Sequence, residues 1–278
     1  MLQAELKGKA PEVENSEDIL TSNVFGLIKY LPASEGMFQI LKEAKDYSTD
    51  RNSFLNNVKA QGIDLSEYDD VDYLFWESSP KFGEPDLILI FKSRKEALKD
   101  LMLCIEIKYL SGKSREGEYD QLMDYCLSLE FKDRRKTYHN PKIAKFDGIF
   151  LGLVYLTYFS QYRSARDSLA QIRKKGVLDY EKKLYELRWN EITKTLSGIQ
   201  SKSMYVEKIK EDLIFLLKKK NFIDFKGFSE VNFDVIYKPC ISFAIRPKKP
   251  SKPEFAGFAE LEDPGILEYD KHIFLEVG

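Results

Sequence analysis

Apolar and polar positions in this chain repeat with two different periods, and the switches between them mark its elements. From Gly83 the sequence reads GEPDLILIF, then the polar connector KSRKEALKD, then LMLCIEIKYL. Two short apolar runs on either side of a charged connector predict a pair of neighbouring strands. Upstream, SEDILTSNVFGLIKYLP opens on Ser16 as an N-cap and stops before Pro32, with Leu20, Val24, Leu27, Ile28 and Leu31 at helical intervals. It predicts a helix. Residues 34–60 predict one or two more helices, 64–72 an acidic turn-rich loop, and 73–77 a short strand. The segment EYDQLMDYCLSLEF predicts a helix with Leu122, Tyr125, Cys126 and Leu129 facing inward, and the continuous apolar run 149–159 predicts a strand covered on both faces. Beyond it, 164–197 predicts helices broken at Gly176, with Leu169, Ile172, Leu184, Leu187 and Ile192 as core positions. Residues 203–219 predict a further helix, followed after Phe222 by short strands (FIDF, VNFDVIY, ISFAIRP) and a Pro- and Lys-rich stretch.

The expected architecture is therefore α/β, a mixed central sheet flanked by helices. Residues 1–160 form the expected core, and 161–278 a helical and short-strand C-terminal extension packed on it. At 278 residues with 43% hydrophobic and 32% charged content, the chain can bury a substantial core and is not dominated by disorder. Its net charge of −2 gives no overall attraction to nucleic acid, so such binding must come from local basic patches. Candidates are Lys113 and Arg115 after the second strand, the run Lys132, Arg134, Arg135 and Lys136, and Arg163, Arg166, Arg173, Lys174 and Lys175. Charge runs of this kind are more often simply solvated. Cys104, Cys126 and Cys240 form no CxxC pair, which points to a reducing, cytoplasmic setting. His139 and His272 lack metal-ligand spacing, which argues against zinc. The N-terminus has no apolar signal-like core, and 149–159 is too short to span a bilayer, so no membrane partner is expected.

Asp86, Glu106 and Lys108 are charges set into segments that otherwise want burial, which is costly unless they are paired or bind a metal. If the two strands pair antiparallel about Glu96, Asp86 and Glu106 fall opposite one another, with Cβ atoms ~5 Å apart. Cys104, Glu106 and Lys108 then share one face, and Leu103, Ile105 and Ile107 the other. Two close carboxylates repel unless a cation sits between them, and an all-oxygen donor set favours Mg²⁺ or Mn²⁺. The alternative is a surface hairpin whose charges form a cross-strand salt bridge.

Pro85-Asp86 followed about twenty residues later by Glu106-Ile107-Lys108 resembles the signature of the PD-(D/E)xK nuclease superfamily, the restriction-endonuclease-like fold. That resemblance implies that Asp86, Glu106 and the Ile107 carbonyl bind Mg²⁺ or Mn²⁺, while Lys108 serves the attacking water. It also assigns a first-helix acid to the site. Glu17 is the position for it, with Asp18 and Glu14 as fallbacks, although Glu17 is equally well explained as a first-turn acid favoured by the helix dipole. Gln121, four residues before Tyr125 on the following helix, is similar to a recurrent extension of the motif in which a Gln supports the site. An ordinary polar helix position is the alternative. The likeness reaches to about residue 160.

The function so implied is metal-dependent hydrolysis of phosphodiester bonds in nucleic acid, with DNA expected ahead of RNA. A homo-oligomer remains open. The alternative, from a different class, is a catalytically inactive nucleic-acid-binding or protein-interaction subunit on the same scaffold.

Overall fold

A computed structural model of the chain describes residues 16–93, 95–109, 120–158, 162–174 and 180–223, with the side chains of 162–164 and 172–174 excepted. Glu14, Lys113, Arg115, Lys175, Cys240, His272 and the C-terminal short strands lie outside the described residues, as do the side chains of Ile172, Arg163, Arg173 and Lys174. Contacts divide the chain into the units Met1–Phe225 and Lys226–Gly278, and every described residue belongs to the first.

The elements in order are α1 (Glu17–Ile28), α2 (Met37–Leu41), β1 (Lys45–Asp46), α3 (Phe54–Ala60), β2 (Tyr68–Phe75), β3 (Leu87–Ser93), β4 (Leu101–Ile107), α4 (Gln121–Glu130), α5 (Lys132–Arg135), α6 (Pro141–Ala144), β5 (Ile149–Thr157), α7 (Tyr162–Lys174), β6 (Leu184–Arg188), α8 (Trp189–Gly198) and α9 (Met204–Lys219). They build a six-stranded mixed sheet in the order β1-β6-β5-β4-β3-β2. β3 is antiparallel to both of its neighbours, β2 and β4, and β4, β5 and β6 are parallel.

Both faces of the sheet are covered, which is why β3 and β4 read as near-continuous apolar runs. Leu87, Leu89, Leu103, Ile105 and Ile107 pack into one layer with Leu20, Val24, Phe25 and Ile28 of α1 and with Trp189 and Leu213 of α8 and α9. Ile88, Ile90, Met102 and Cys104 face the other layer, formed by Leu122, Tyr125 and Cys126 of α4 with Ala165 and Leu169 of α7. α1 starts where its chemistry says it should: the Ser16 hydroxyl accepts the Ile19 amide at 3.5 Å, and Glu17 and Asp18 occupy the positive end of the helix dipole.

The structure departs from the sequence expectation in three places. β2 begins at Tyr68, so the acidic 64–72 segment is only partly loop. An edge strand tolerates exposed acids, and Asp72 is held at 2.7 Å by Lys92 and at 2.8 Å by Lys142. Residues 184–188, read as helical from Leu184 and Leu187, form β6. Leu184 faces one layer while Tyr185 and Leu187 face the other, a period of two that a three-residue spacing conceals. Arg135, grouped with a basic surface run, is buried, and its guanidinium donates to the carbonyls of Leu129, Glu130 and Phe146 at 2.6, 3.0 and 3.2 Å. It satisfies the open carbonyls at the end of α4 and is not available to phosphate. Lys132 and Lys136 are paired with Asp147 and Asp133. Among the described residues, no helix is long and apolar enough to cross a membrane.

One irregularity sets the alignment of the parallel strands. The β4–β5 register slips between Met102 and Leu103, because Met102 lies opposite Phe150 and Leu103 opposite Gly152. Gly152 has φ +131°, and a Cβ there would stand 2.0 Å from the Lys183 carbonyl oxygen. The extra residue reverses the alternation, so Leu153 and Tyr155 face the α4 layer while Val154 and Leu156 face α1. Gly152→Ala should destabilise the fold by about 1–3 kcal/mol, read as a lower denaturation midpoint in urea, because backbone, not a flexible side chain, must move. An unchanged midpoint would show that the bulge relaxes freely.

Candidate active site

The β3–β4 ladder pairs Leu87 with Ile105 and Leu89 with Leu103, and is therefore centred on Glu96 as expected. Continued one step, it sets Asp86 against Glu106 at the end of the sheet where β4 finishes. Asp86 is held there from both sides of its backbone: its carbonyl accepts the Trp76 amide at 3.2 Å, and its Oδ2 accepts the Ile107 amide at 2.7 Å. Trp76 takes φ +51°, unusual for a bulky residue, where the chain leaves β2 beside Asp86.

Asp86 is 8% exposed, Glu106 1% and Lys108 8%, so all the charges of the expected motif are buried together. The Asp86 and Glu106 carboxyl groups lie within hydrogen-bonding range of each other, a contact that forms only while one of them keeps its proton. The Lys108 ammonium stands 2.8 Å from Glu106 Oε1 in a buried ion pair. Glu106 Oε2 accepts no hydrogen bond among the described residues.

Burial pushes the Asp86 carboxyl up to about 6, against the opposing pull of the Ile107 amide and Lys108. Burial and the Asp86 charge together push Glu106 up to about 8. Burial works against the charge on Lys108, but Glu106, Glu17 and Asp86 outweigh it and hold the ammonium above the ordinary lysine range.

Glu17 reaches the site from the first turn of α1, but its contacts there are to the far side of Lys108. Its Oε1 lies 3.3 Å from the ammonium, and its Oε2 accepts the Tyr109 amide at 2.7 Å. Lys108 thus stands between Glu106 and Glu17. Gln121 comes in from α4, donating at 3.2 Å to the Tyr125 hydroxyl, which in turn donates to the Glu84 carbonyl at 3.0 Å. Glu77, near the same end of the sheet, accepts Asn140 at 2.7 Å and serves the turn. Buried Cys104 and Cys126 lie beneath the site, and burial raises both thiols above their ordinary range, which leaves them unreactive.

Two contributors escaped the sequence reading. Trp189 donates its indole N–H to the Lys108 carbonyl at 3.2 Å from 81 residues away, a contact without any local signature. Tyr155 lies in register with Glu106 on β5. It sits in an unbroken apolar run, and its placement depends on the bulge at Gly152.

Comparison with protein-family models, curated proteins and solved structures finds no match for this chain. The chemistry must be judged from the side chains themselves. Among the described residues no group of three or more His, Cys, Asp and Glu forms a metal cluster, so a cation would rest on Asp86, Glu106 and a backbone carbonyl. The donors that remain fit a hard divalent ion. They are oxygens only, from two buried carboxyls facing each other. Burial disfavours the charge on both acids, and the Asp86 charge disfavours that on Glu106 further, costs that such an ion would offset.

Both acids bind protons more tightly folded than unfolded, where they titrate near their ordinary 3.8 and 4.5. Folding therefore takes up protons between about pH 4 and about pH 8, and this pair costs stability as pH rises through that window. In EDTA the melting temperature should fall between about pH 4 and about pH 8, with Glu106→Gln losing most of the fall. A fall that the variant retains in full contradicts the buried-pair account.

Proposed function

We propose that this chain is a metal-dependent nuclease of the PD-(D/E)xK type, hydrolysing phosphodiester bonds in nucleic acid, with DNA as the first substrate to test. The observation that carries the reading is the convergence of Asp86, Glu106 and Lys108 in one buried cluster at the end of β4. Support for a restriction-endonuclease-like core comes from the element order: helix α1, the antiparallel strands β2, β3 and β4, helix α4 and buried strand β5 follow the sequence that the resemblance implies.

In this reading Asp86, Glu106 and the Ile107 carbonyl hold Mg²⁺ or Mn²⁺. When bound, the ion supplies Lewis acidity toward the phosphoryl oxygen and a lowered pKa for the attacking water. Lys108 orients that water. Its ammonium is anchored by Glu17 and kept protonated by the acids around it, so it acts as a donor to developing negative charge and does not take the proton. Glu17 fixes Lys108, and Trp189 fixes the backbone that carries it. Gln121 steadies the rim through Tyr125 and the Glu84 carbonyl, two residues before Asp86.

One feature favours the inactive-scaffold reading: Lys108 between Glu106 and Glu17 is also what a structural buried ion pair looks like. Incubation with Mg²⁺ and circular, linear duplex and single-stranded DNA, with RNA alongside, separates the two. Cleavage should require the metal and fall by ~10²-fold or more in both Glu106→Gln and Lys108→Ala. Binding of nucleic acid without cleavage under any divalent ion would favour the scaffold, and neither binding nor cleavage would retire the nuclease and leave a protein-interaction scaffold.

A further inference from the structure

Tyr155 is wholly buried, yet its hydroxyl has no hydrogen-bond partner. A buried hydroxyl left without a partner costs on the order of 1–3 kcal/mol, so its retention calls for a partner in some state of the protein. The geometry narrows the choice. The ring rises from the same face of the sheet as Cys104 and stands in register with Glu106 on β4 and Glu186 on β6. It feels the charges of Lys108, Glu106, Glu17 and Asp120.

Most of the acceptors around it are committed elsewhere. Glu17 takes Lys108 and the Tyr109 amide. Asp120, the N-cap of α4, takes the Met123 amide at 3.2 Å and the Ser168 hydroxyl at 2.7 Å. Glu186 holds Arg51 at 2.6 Å. Glu106 pairs with Lys108 through Oε1 at 2.8 Å, and its Oε2 accepts no hydrogen bond among the described residues. A donor without an acceptor and an acceptor without a donor thus stand on adjacent strands in the same buried layer.

We propose that Tyr155 is a positioning residue for the metal centre. Its hydroxyl would donate to the Glu106 carboxylate, directly or through one buried water, when a cation is held at that carboxylate. The contact would fix the carboxylate's orientation, as outer-shell donors do for metal ligands in general. The bulge at Gly152 then gains a functional reason: without it Tyr155 would face the α1 layer and a neighbouring residue would face Glu106.

This inference rests on the metal-site reading above, and the test keeps the two apart. Mn²⁺ binding is measured by calorimetry on the full chain, wild type against Tyr155→Phe, Glu106→Gln and the double variant, with melting temperatures recorded in EDTA. Tyr155→Phe should weaken Mn²⁺ by about 10-fold. It should leave the metal-free melting temperature unchanged or higher, since it removes only an unsatisfied hydroxyl. The double variant should bind no more weakly than Glu106→Gln alone, because the hydroxyl acts through that carboxylate. Unchanged Mn²⁺ affinity in Tyr155→Phe, or a loss matched by a lower metal-free melting temperature, overturns the proposal while wild-type binding keeps the metal site standing. Wild-type protein that binds no Mn²⁺ overturns both.

Discussion

Desolvation of a small group of charges is the constraint on which this molecule turns. Asp86, Glu106 and Lys108 are carried by strands whose other side chains form the apolar centre of the sheet, and they are withdrawn from water with them. A single buried carboxylate would cost several kcal/mol, and two facing each other cost more unless a proton or a cation lies between them. The protein meets that cost in part with Lys108 and in part by retaining protons on the acids. What is left over, Glu106 Oε2 without a donor among the described residues, is a capacity for binding.

The rest of the fold can be understood as the frame that holds this arrangement in place. Three separate parts of the chain fix Lys108 or the backbone next to it: Glu17 from α1, the Leu156 carbonyl from β5 at 2.8 Å, and Trp189 from α8. Asp86 is fixed by Ile107 and Trp76. Rigid first contacts of this kind are what distinguishes a site prepared for a ligand from a pair of acids that happen to meet, because little reorganisation remains when the ligand arrives. The aromatic cluster of Trp189, Phe222, Tyr109 and Tyr158 packs against the same end of β4, with Trp189 and Phe222 stacked at 5.0 Å between ring centroids. Elements following residue 160 therefore take part in supporting the site, and β6 extends its sheet.

Much of this arrangement was legible in the order of residues, for definite reasons. A strand has a period of two, so the positions of Asp86 and Glu106 about Glu96 fixed their opposition once antiparallel pairing was assumed, and the ladder has that centre. Ser16 as a cap, the stripe Leu20, Val24 and Ile28, and the long apolar run of β5 are likewise local signals with local causes. The α/β class with a mixed sheet between helices follows from those elements alone.

What only the tertiary structure decided are the features that depend on contacts between distant residues. The burial of Arg135 against the carbonyls at the end of α4 cannot be told from a solvated basic run by composition. The strand character of Leu184–Arg188 is concealed by a spacing that suits a helix equally well, and it emerges only because β5 offers an edge to pair with. The bulge at Gly152 is a slip in register between two strands, visible only when both are present, and it decides that Tyr155 and not its neighbour stands beside Glu106. Periodicity along the chain determined which residues are strand and helix and that the motif's acids oppose one another. Packing across the chain decided what each charge touches, because hydrogen bonds and desolvation act between neighbours in space and leave no period behind.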